Sequence, residues 1–201
     1  VNQPERLSAV EVRARLAACA PKALEIPGFR RAAVLVPILL GTKGSELLLT
    51  VRSSNLRSHA GQIAFPGGRL EVGEDDVTAA IRETREEVGL VVRPEDVVGR
   101  LSDHPSPAGY VATPLVAVLD WPQALETDPN EVAETFTVPL ADLAAISPSS
   151  RVGELLKYRR RIYSYPWQGR NIWGFTGNVV RDLLTALYGK AGAADEDQFA
   201  P

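Results

Sequence analysis

The chain carries one cysteine in 201 residues, so it can form no internal disulfide and no cysteine-based metal cluster. That cysteine, Cys19, lies in the apolar stretch LAACAPKAL, which predicts a buried structural thiol rather than a nucleophile. Long apolar runs are also missing. The longest, Ala32 to Leu40 (AAVLVPILL), contains a proline and falls far short of the roughly 20 residues that span a bilayer. Basic tracts are scarce: no Lys/Arg block exceeds Arg159 to Arg161 and the formal net charge is −3, which argues against nucleic acid as a partner. The opening VNQPERLSAVEVRARL mixes charged and apolar residues at helical spacing, unlike a secretory leader. The closing QFAP is not a Ser-Lys-Leu peroxisomal address. A cytoplasmic protein without membrane contact is expected.

What is present is 45% hydrophobic and 23% charged, ordinary for one soluble domain. That domain is expected over residues 1–190, with 191–201 (AGAADEDQFAP) as a frayed acidic tail. A first helix is predicted from Arg6 to Ala20, ended by Pro21. Strands are predicted over Ala32 to Leu40 and Glu46 to Arg52, with GTKG turning between them. An amphipathic helix follows from Asp76 to Val88, stopped by Gly89. Strand-like Val111 to Leu119 and Glu134 to Val138, a short helix in LADLAAI, a β-rich Leu155 to Trp173 and a last helix near Val179 to Tyr188 complete the chain. Strands and helices do not alternate regularly, so an α/β fold with a mixed sheet flanked by helices is the expectation.

The helix from Asp76 to Val88 carries an oddity. At about 100° per residue, Val77, Ala80, Ile81, Thr84 and Val88 form one stripe, while Glu83, Glu86 and Glu87 crowd another. Like charges three or four residues apart cost roughly 0.2–0.5 kcal/mol per pair. Arg82, four residues before Glu86, offsets part of that cost, and a hard divalent cation would offset more. On the helix alone a solvated acidic face explains the pattern equally well. The preceding FPGGRLEVGED favours the cation: two adjacent glycines allow close backbone approach to a ligand or metal, whereas a turn needs one.

Gly68, Glu74 and the run Arg82-Glu83-Thr84-Arg85-Glu86-Glu87-Val88-Gly89-Leu90 resemble the Nudix box, G-x5-E-x7-R-E-U-x-E-E-x-G-U, in which U is a bulky aliphatic residue. Thr84 departs from it, keeping a β-branched shape but adding a hydroxyl. The resemblance implies a Nudix hydrolase: an α/β/α sandwich whose box forms a loop–helix–loop and holds Mg²⁺ or Mn²⁺ while water attacks a nucleoside diphosphate derivative. It implies Glu83, Glu86 and Glu87 as metal carboxylates and the Gly68 carbonyl as a further ligand. Arg82 would orient a glutamate, and Glu74 would either hold the loop or approach a second metal.

Upstream, Leu48-Leu49-Thr50-Val51-Arg52-Ser53, Arg57, Gly61 and Phe65-Pro66-Gly67-Gly68 resemble the signature of the coenzyme A pyrophosphatase branch, L-L-T-x-R-[SA]-x3-R-x3-G-x3-F-P-G-G. Such a substrate needs cations beside its phosphates, a demand that Arg52 and Arg57 fit, with His59 and Gln62 as further hydrogen-bonding groups. The general base stays open among Glu83, Glu86, Glu131 and Glu134. His104, before a proline, is expected in a loop, and Trp167 and Trp173 are expected in the core. ADP-ribose, NADH or a nucleoside triphosphate are rival substrates, a non-catalytic nucleotide-binding module is a rival class, and a homodimer is left open.

Overall fold

The computed structural model describes residues 6–41, 44–55, 60–155 and 158–189. The expected acidic tail and the middle of GTKG lie outside them, as do Arg57 and His59. Helix α1 (Ala9–Ala17) is shorter than expected at both ends. Ser8 caps it, accepting from the Glu11 N–H while the Glu11 carboxylate accepts from the Ser8 N–H; this reciprocal cap sets the start. Cys19 follows the last turn and is exposed, against the expected burial, because helix α1 ends before the cysteine reaches its apolar face.

Strands β1 (Arg30–Gly41) and β2 (Gly44–Arg52) pair antiparallel, as a hairpin requires. Two short strands, β3 (Ile63–Ala64) and β4 (Gly67–Arg69), precede helix α2 (Asp76–Val88). Then come β5 (Val97–Arg100), β6 (His104–Ser106), β7 (Tyr110–Asp120) and β8 (Val132–Pro139), followed by α3 (Leu140–Ala145). The chain finishes with β9 (Ser149–Leu155), β10 (Tyr158–Trp167), β11 (Arg170–Trp173) and α4 (Gly174–Tyr188). The main sheet runs β3-β2-β1-β7-β5, with β4 on β1, β6 on β7 and β8 on β2. β1 and β7 are parallel while their other neighbours are antiparallel, so the sheet is mixed. A second sheet has the order β11-β10-β9.

Apolar residues of α2, among them Ala79, Ala80 and Val88, pack with Ala33, Leu35 and Leu48 on one face of the main sheet. On the other face, Val12 and Leu16 of α1, Val179, Val180 and Leu183 of α4, and Tyr163 and Ile172 of the second sheet pack on Val34, Val36 and Leu49. The result is the expected α/β/α sandwich. Among the described residues no helix is long and apolar enough to cross a membrane.

Three expectations change. His104 is not in a loop: β6 pairs with β7 through His104 and Ala112, and Nε2 lies 2.9 Å from Asp182 Oδ2 on α4. A three-residue strand holding a proline is too short for a periodic signal. Trp173 is 41% exposed rather than core, whereas Trp167 packs against the core, stacked on Phe136 with its indole N–H donating to Asp142. Helix α4 begins at Gly174, earlier than its apolar periodicity suggests, because the Thr176 hydroxyl anchors the first turn on the Ile63 carbonyl.

Thr84, the motif departure, is fully buried in α2 and its hydroxyl finds no hydrogen-bond partner. An unmade buried hydrogen bond costs about 1–3 kcal/mol. Thr84→Val, nearly isosteric, is expected to raise the unfolding free energy by about 1 kcal/mol, read as a higher urea midpoint at unchanged m-value.

Candidate active site

The site forms where strand β4 meets helix α2. Asp75 caps the helix by accepting from the Thr78 N–H, and Gly89 ends it in the left-handed conformation, so the helix boundaries are fixed by local chemistry. These bounds place Glu83 and Glu87 one turn apart, facing β4. The Gly67 N–H donates to Glu87 Oε2 at 3.1 Å. A Cβ on Gly68 would lie 2.5 Å from the Glu83 carboxyl carbon, so glycine is what allows strand and carboxylate to meet.

Arg82 is the hub of the outer side. Its Nε and Nη2 hold the two oxygens of Glu74, each at 2.9 Å, and Nη1 reaches Glu83 at 2.9 Å and Glu86 at 3.1 Å. Nη2 also donates to the Arg69 carbonyl. Bidentate, charge-assisted bonds of this kind fix geometry as well as charge. The Arg82 hydrogen bonds hold the Glu74 carboxyl below its usual range, helped by the Glu71 N–H, and Arg82 itself is shifted upward. Both oxygens of Glu74 are therefore engaged by the arginine, which ties the loop to the helix. Glu86, 61% exposed, points outward and pairs with Arg82.

Glu87 is in the opposite situation. It is 3% exposed, and burial pushes its carboxyl up to about 8, opposed by the Gly67 N–H and by Arg52, whose Nη1 is 3.7 Å away. The charges of Glu131 and Glu83 raise it further. Glu83 is also shifted up, first by burial, with Arg82 opposing and Glu86 and Glu131 adding to the rise. Desolvation and like charge thus act together on Glu83 and Glu87.

Glu131 arrives from the segment between β7 and β8, which is strapped down by main-chain hydrogen bonds. The Glu126 N–H donates to the Val88 carbonyl, Asp128 N–H to the Glu87 carbonyl, and Ser53 N–H to the Glu131 carbonyl. At Gly89 a Cβ would meet the Glu126 backbone nitrogen at 2.8 Å, so this glycine serves the strap as well as the helix end. Sequence reasoning found Gly89 as a helix stop and missed that second role, which no local pattern signals.

Glu134, weighed equally with Glu131 by sequence, lies elsewhere. It pairs across the strands with Val51, while Arg52, which faces α2, pairs with Val132 after a register shift. Glu134 therefore projects from the opposite face and is held by Arg170 at 2.7 and 3.1 Å, whose guanidinium stacks over Phe136. Gln62 borders the site through its carbonyl, which accepts from the Arg52 N–H.

Among the described residues no three acidic, histidine or cysteine side chains close to coordinating distance of one another. The donor set nevertheless fits a hard divalent cation: Glu83 and Glu87 supply oxygens beside a glycine strand that leaves room for no side chain, and their negative charge is incompletely neutralised.

A pH dependence follows from Glu87. Because folding raises its affinity for a proton, the folded state holds a proton that the unfolded chain releases between about pH 4.5 and 8. In a chelator-containing buffer, stability is expected to fall as pH rises through that window, and Glu87→Gln is expected to flatten the slope in urea titrations. Mg²⁺ or Mn²⁺ should raise the wild-type melting temperature more at pH 8 than at pH 6, since metal binding releases the proton.

Comparison with known proteins agrees with this geometry. The Nudix domain model matches residues 29–180. The chain is 41% identical over 160 residues to the uncharacterized Nudix hydrolase NudL of Photorhabdus laumondii, covering 77% of this chain and 83% of that protein. It is 36% identical over 159 residues to NudL of Yersinia pestis, covering 77% and 78%. Its fold is similar to the crystal structure of a MutT/nudix family protein from Enterococcus faecalis, with a TM-score of 0.53, 16% identity and coverage of 90% of this chain and 68% of that one. The chain therefore belongs to the Nudix hydrolase family.

Proposed function

We propose that this Nudix hydrolase splits the pyrophosphate of coenzyme A or its derivatives into 3′,5′-ADP and the 4′-phosphopantetheine half. It would do so from one domain over residues 1–190, in the cytoplasm, with Mg²⁺ or Mn²⁺. Nudix hydrolases generally use divalent metal ions and act on small nucleotide substrates. The observation that carries the narrower reading is the continuity of Leu48 to Leu90. The described residues of the branch signature adjoin those of the box, with Arg52 facing Glu87, the Thr50 hydroxyl bonded to the Ala64 carbonyl, Phe65 buried beneath, and Gly67 and Gly68 against Glu87 and Glu83.

Glu83 and Glu87 would hold the cation beside the Gly68 backbone. When bound, it supplies charge neutralisation at the phosphates and acidifies the attacking water. Arg52 contributes a guanidinium edge matched to phosphate oxygens. Arg82, locked between Glu74, Glu83 and Glu86, is a positioning residue that keeps Glu83 turned toward β4. Glu131 is the favoured general base. Among the described residues its carboxylate forms no hydrogen bond, its field reaches both Glu83 and Glu87, and its backbone is tethered. By contrast Glu86 is tied to Arg82, and Glu134 to Arg170 on the other face.

Incubation of the purified protein with coenzyme A and Mg²⁺ or Mn²⁺ is expected to release 3′,5′-ADP, detected by chromatography. No release under either metal, with turnover of ADP-ribose or NADH instead, would reassign the substrate. Glu131→Gln is expected to lower kcat by roughly 10²–10⁴-fold while leaving the metal-induced thermal shift intact, whereas Glu134→Gln should stay within about threefold of wild type.

A further inference from the structure

Glu131 is carried by a four-residue turn, Asp128-Pro129-Asn130-Glu131, whose composition suits a tight reversal: a side-chain acceptor comes first and a proline with fixed φ second. The Asp128 carbonyl accepts from the Glu131 N–H at 3.0 Å and from the Val132 N–H at 2.8 Å. The Asp128 carboxylate closes the turn from inside. Its Oδ1 accepts from the Asn130 N–H at 2.8 Å and from the Asn130 side-chain amide at 2.9 Å. Proline has no N–H, so the main-chain donors of residues 130–132 all end on Asp128. The entry to the turn is fixed on α2, where the Asp128 N–H donates to the Glu87 carbonyl at 3.0 Å. Its exit is fixed on β2, where the Ser53 N–H donates to the Glu131 carbonyl at 2.8 Å. Asp128 therefore joins the last turn of the acidic helix to the residue that follows the loop.

We propose that Asp128 is a positioning residue for the hydrolysis, its side-chain oxygen holding the turn in the one shape that aims the Glu131 carboxylate at the site. The inference rests on the reading of Glu131 as general base. Glu131 is exposed, and no side-chain partner among the described residues orients it, so the backbone beneath it sets its direction. A base must lie within hydrogen-bond reach of the proton that it takes, and a displacement of about 1 Å costs on the order of 10²-fold. The main-chain tethers hold the two ends of the turn whatever side chains it carries. Its middle is held by the Asp128 carboxylate, and without that acceptor the Asn130 N–H turns to water and the peptide before Glu131 is free to rotate. Both bonds fall on one oxygen, so the role needs an acceptor atom and not a negative charge. Asparagine supplies the same atom.

The test is steady-state kinetics of the full chain with Mg²⁺ and coenzyme A, with ADP-ribose and NADH run beside it so that a wrong substrate and a wrong role for Asp128 are told apart. Asp128→Ala is expected to lower kcat by about 10–100-fold, with KM within about threefold of wild type and the metal-induced thermal shift retained. Asp128→Asn is expected to keep kcat within about threefold of wild type, since its amide oxygen accepts the same bonds. In a Glu131→Gln background, Asp128→Ala is expected to cost less than about twofold more, because both substitutions act through one group. Wild-type kcat in Asp128→Ala beside a slow Glu131→Gln would overturn the positioning role alone. So would Asp128→Asn as slow as Asp128→Ala, which would make the charge the working feature, or full multiplication of the two losses in the double variant. Wild-type kcat in Glu131→Gln would overturn the general-base reading and the positioning role with it.

Discussion

The burial of the Glu87 carboxylate against a glycine strand is the constraint around which the site is arranged. A carboxylate out of water requires donors and opposite charge, and the chain supplies one main-chain N–H at 3.1 Å and one guanidinium at 3.7 Å. The stronger cationic resource is spent on the outer side, where Arg82 binds Glu74, Glu83 and Glu86. Negative charge is therefore satisfied around the rim and left uncompensated at the bottom. Burial is the main cause of the raised Glu87 carboxyl, with the charges of Glu131 and Glu83 adding to it.

The mixed sheet makes this arrangement possible. β1 pairs with β4 through Ala32 to Val34 and with β2 through Ile38 to Gly41, so two antiparallel neighbours share one side of a single strand. Between them the chain crosses at Phe65 and Pro66, with the Leu35 N–H bonded to the Pro66 carbonyl. The change of neighbour falls in the middle of β1, between Val34 and Ile38, while the parallel neighbour β7 continues unbroken along the other side. Phe65, buried at 3% exposure, packs into the core at this crossing.

Much of this was legible in the residues. Helix α2 carries strong terminal signals in Asp75 and Gly89 and a clean apolar stripe, and its bounds emerged as expected. The convergence of the glycine pair with the acidic stripe was readable because it depends on spacing within a short segment. What spacing cannot carry is contact between distant segments. Glu131 and Glu134 are three residues apart in one polar stretch, but Glu131 lies ahead of β8 in the segment tied to α2, whereas Glu134 lies within β8 opposite Val51. Cys19 and Trp173 reached the surface for a related reason: an apolar neighbourhood in sequence does not say which face an element turns inward. His104 gave no periodic signal because its strand is three residues long.

The strap from Glu126 to Glu131 has an evolutionary consequence. Its three tethers run between main-chain atoms, and no side-chain substitution deletes a main-chain donor unless it introduces proline. The side chains along the strap, that of Asp128 excepted, can therefore change while its backbone stays in register with the helix. The burden of keeping that register falls on Gly89, where even one methyl group would meet the strap. A glycine at the end of the helix thus sets where the whole strap can lie.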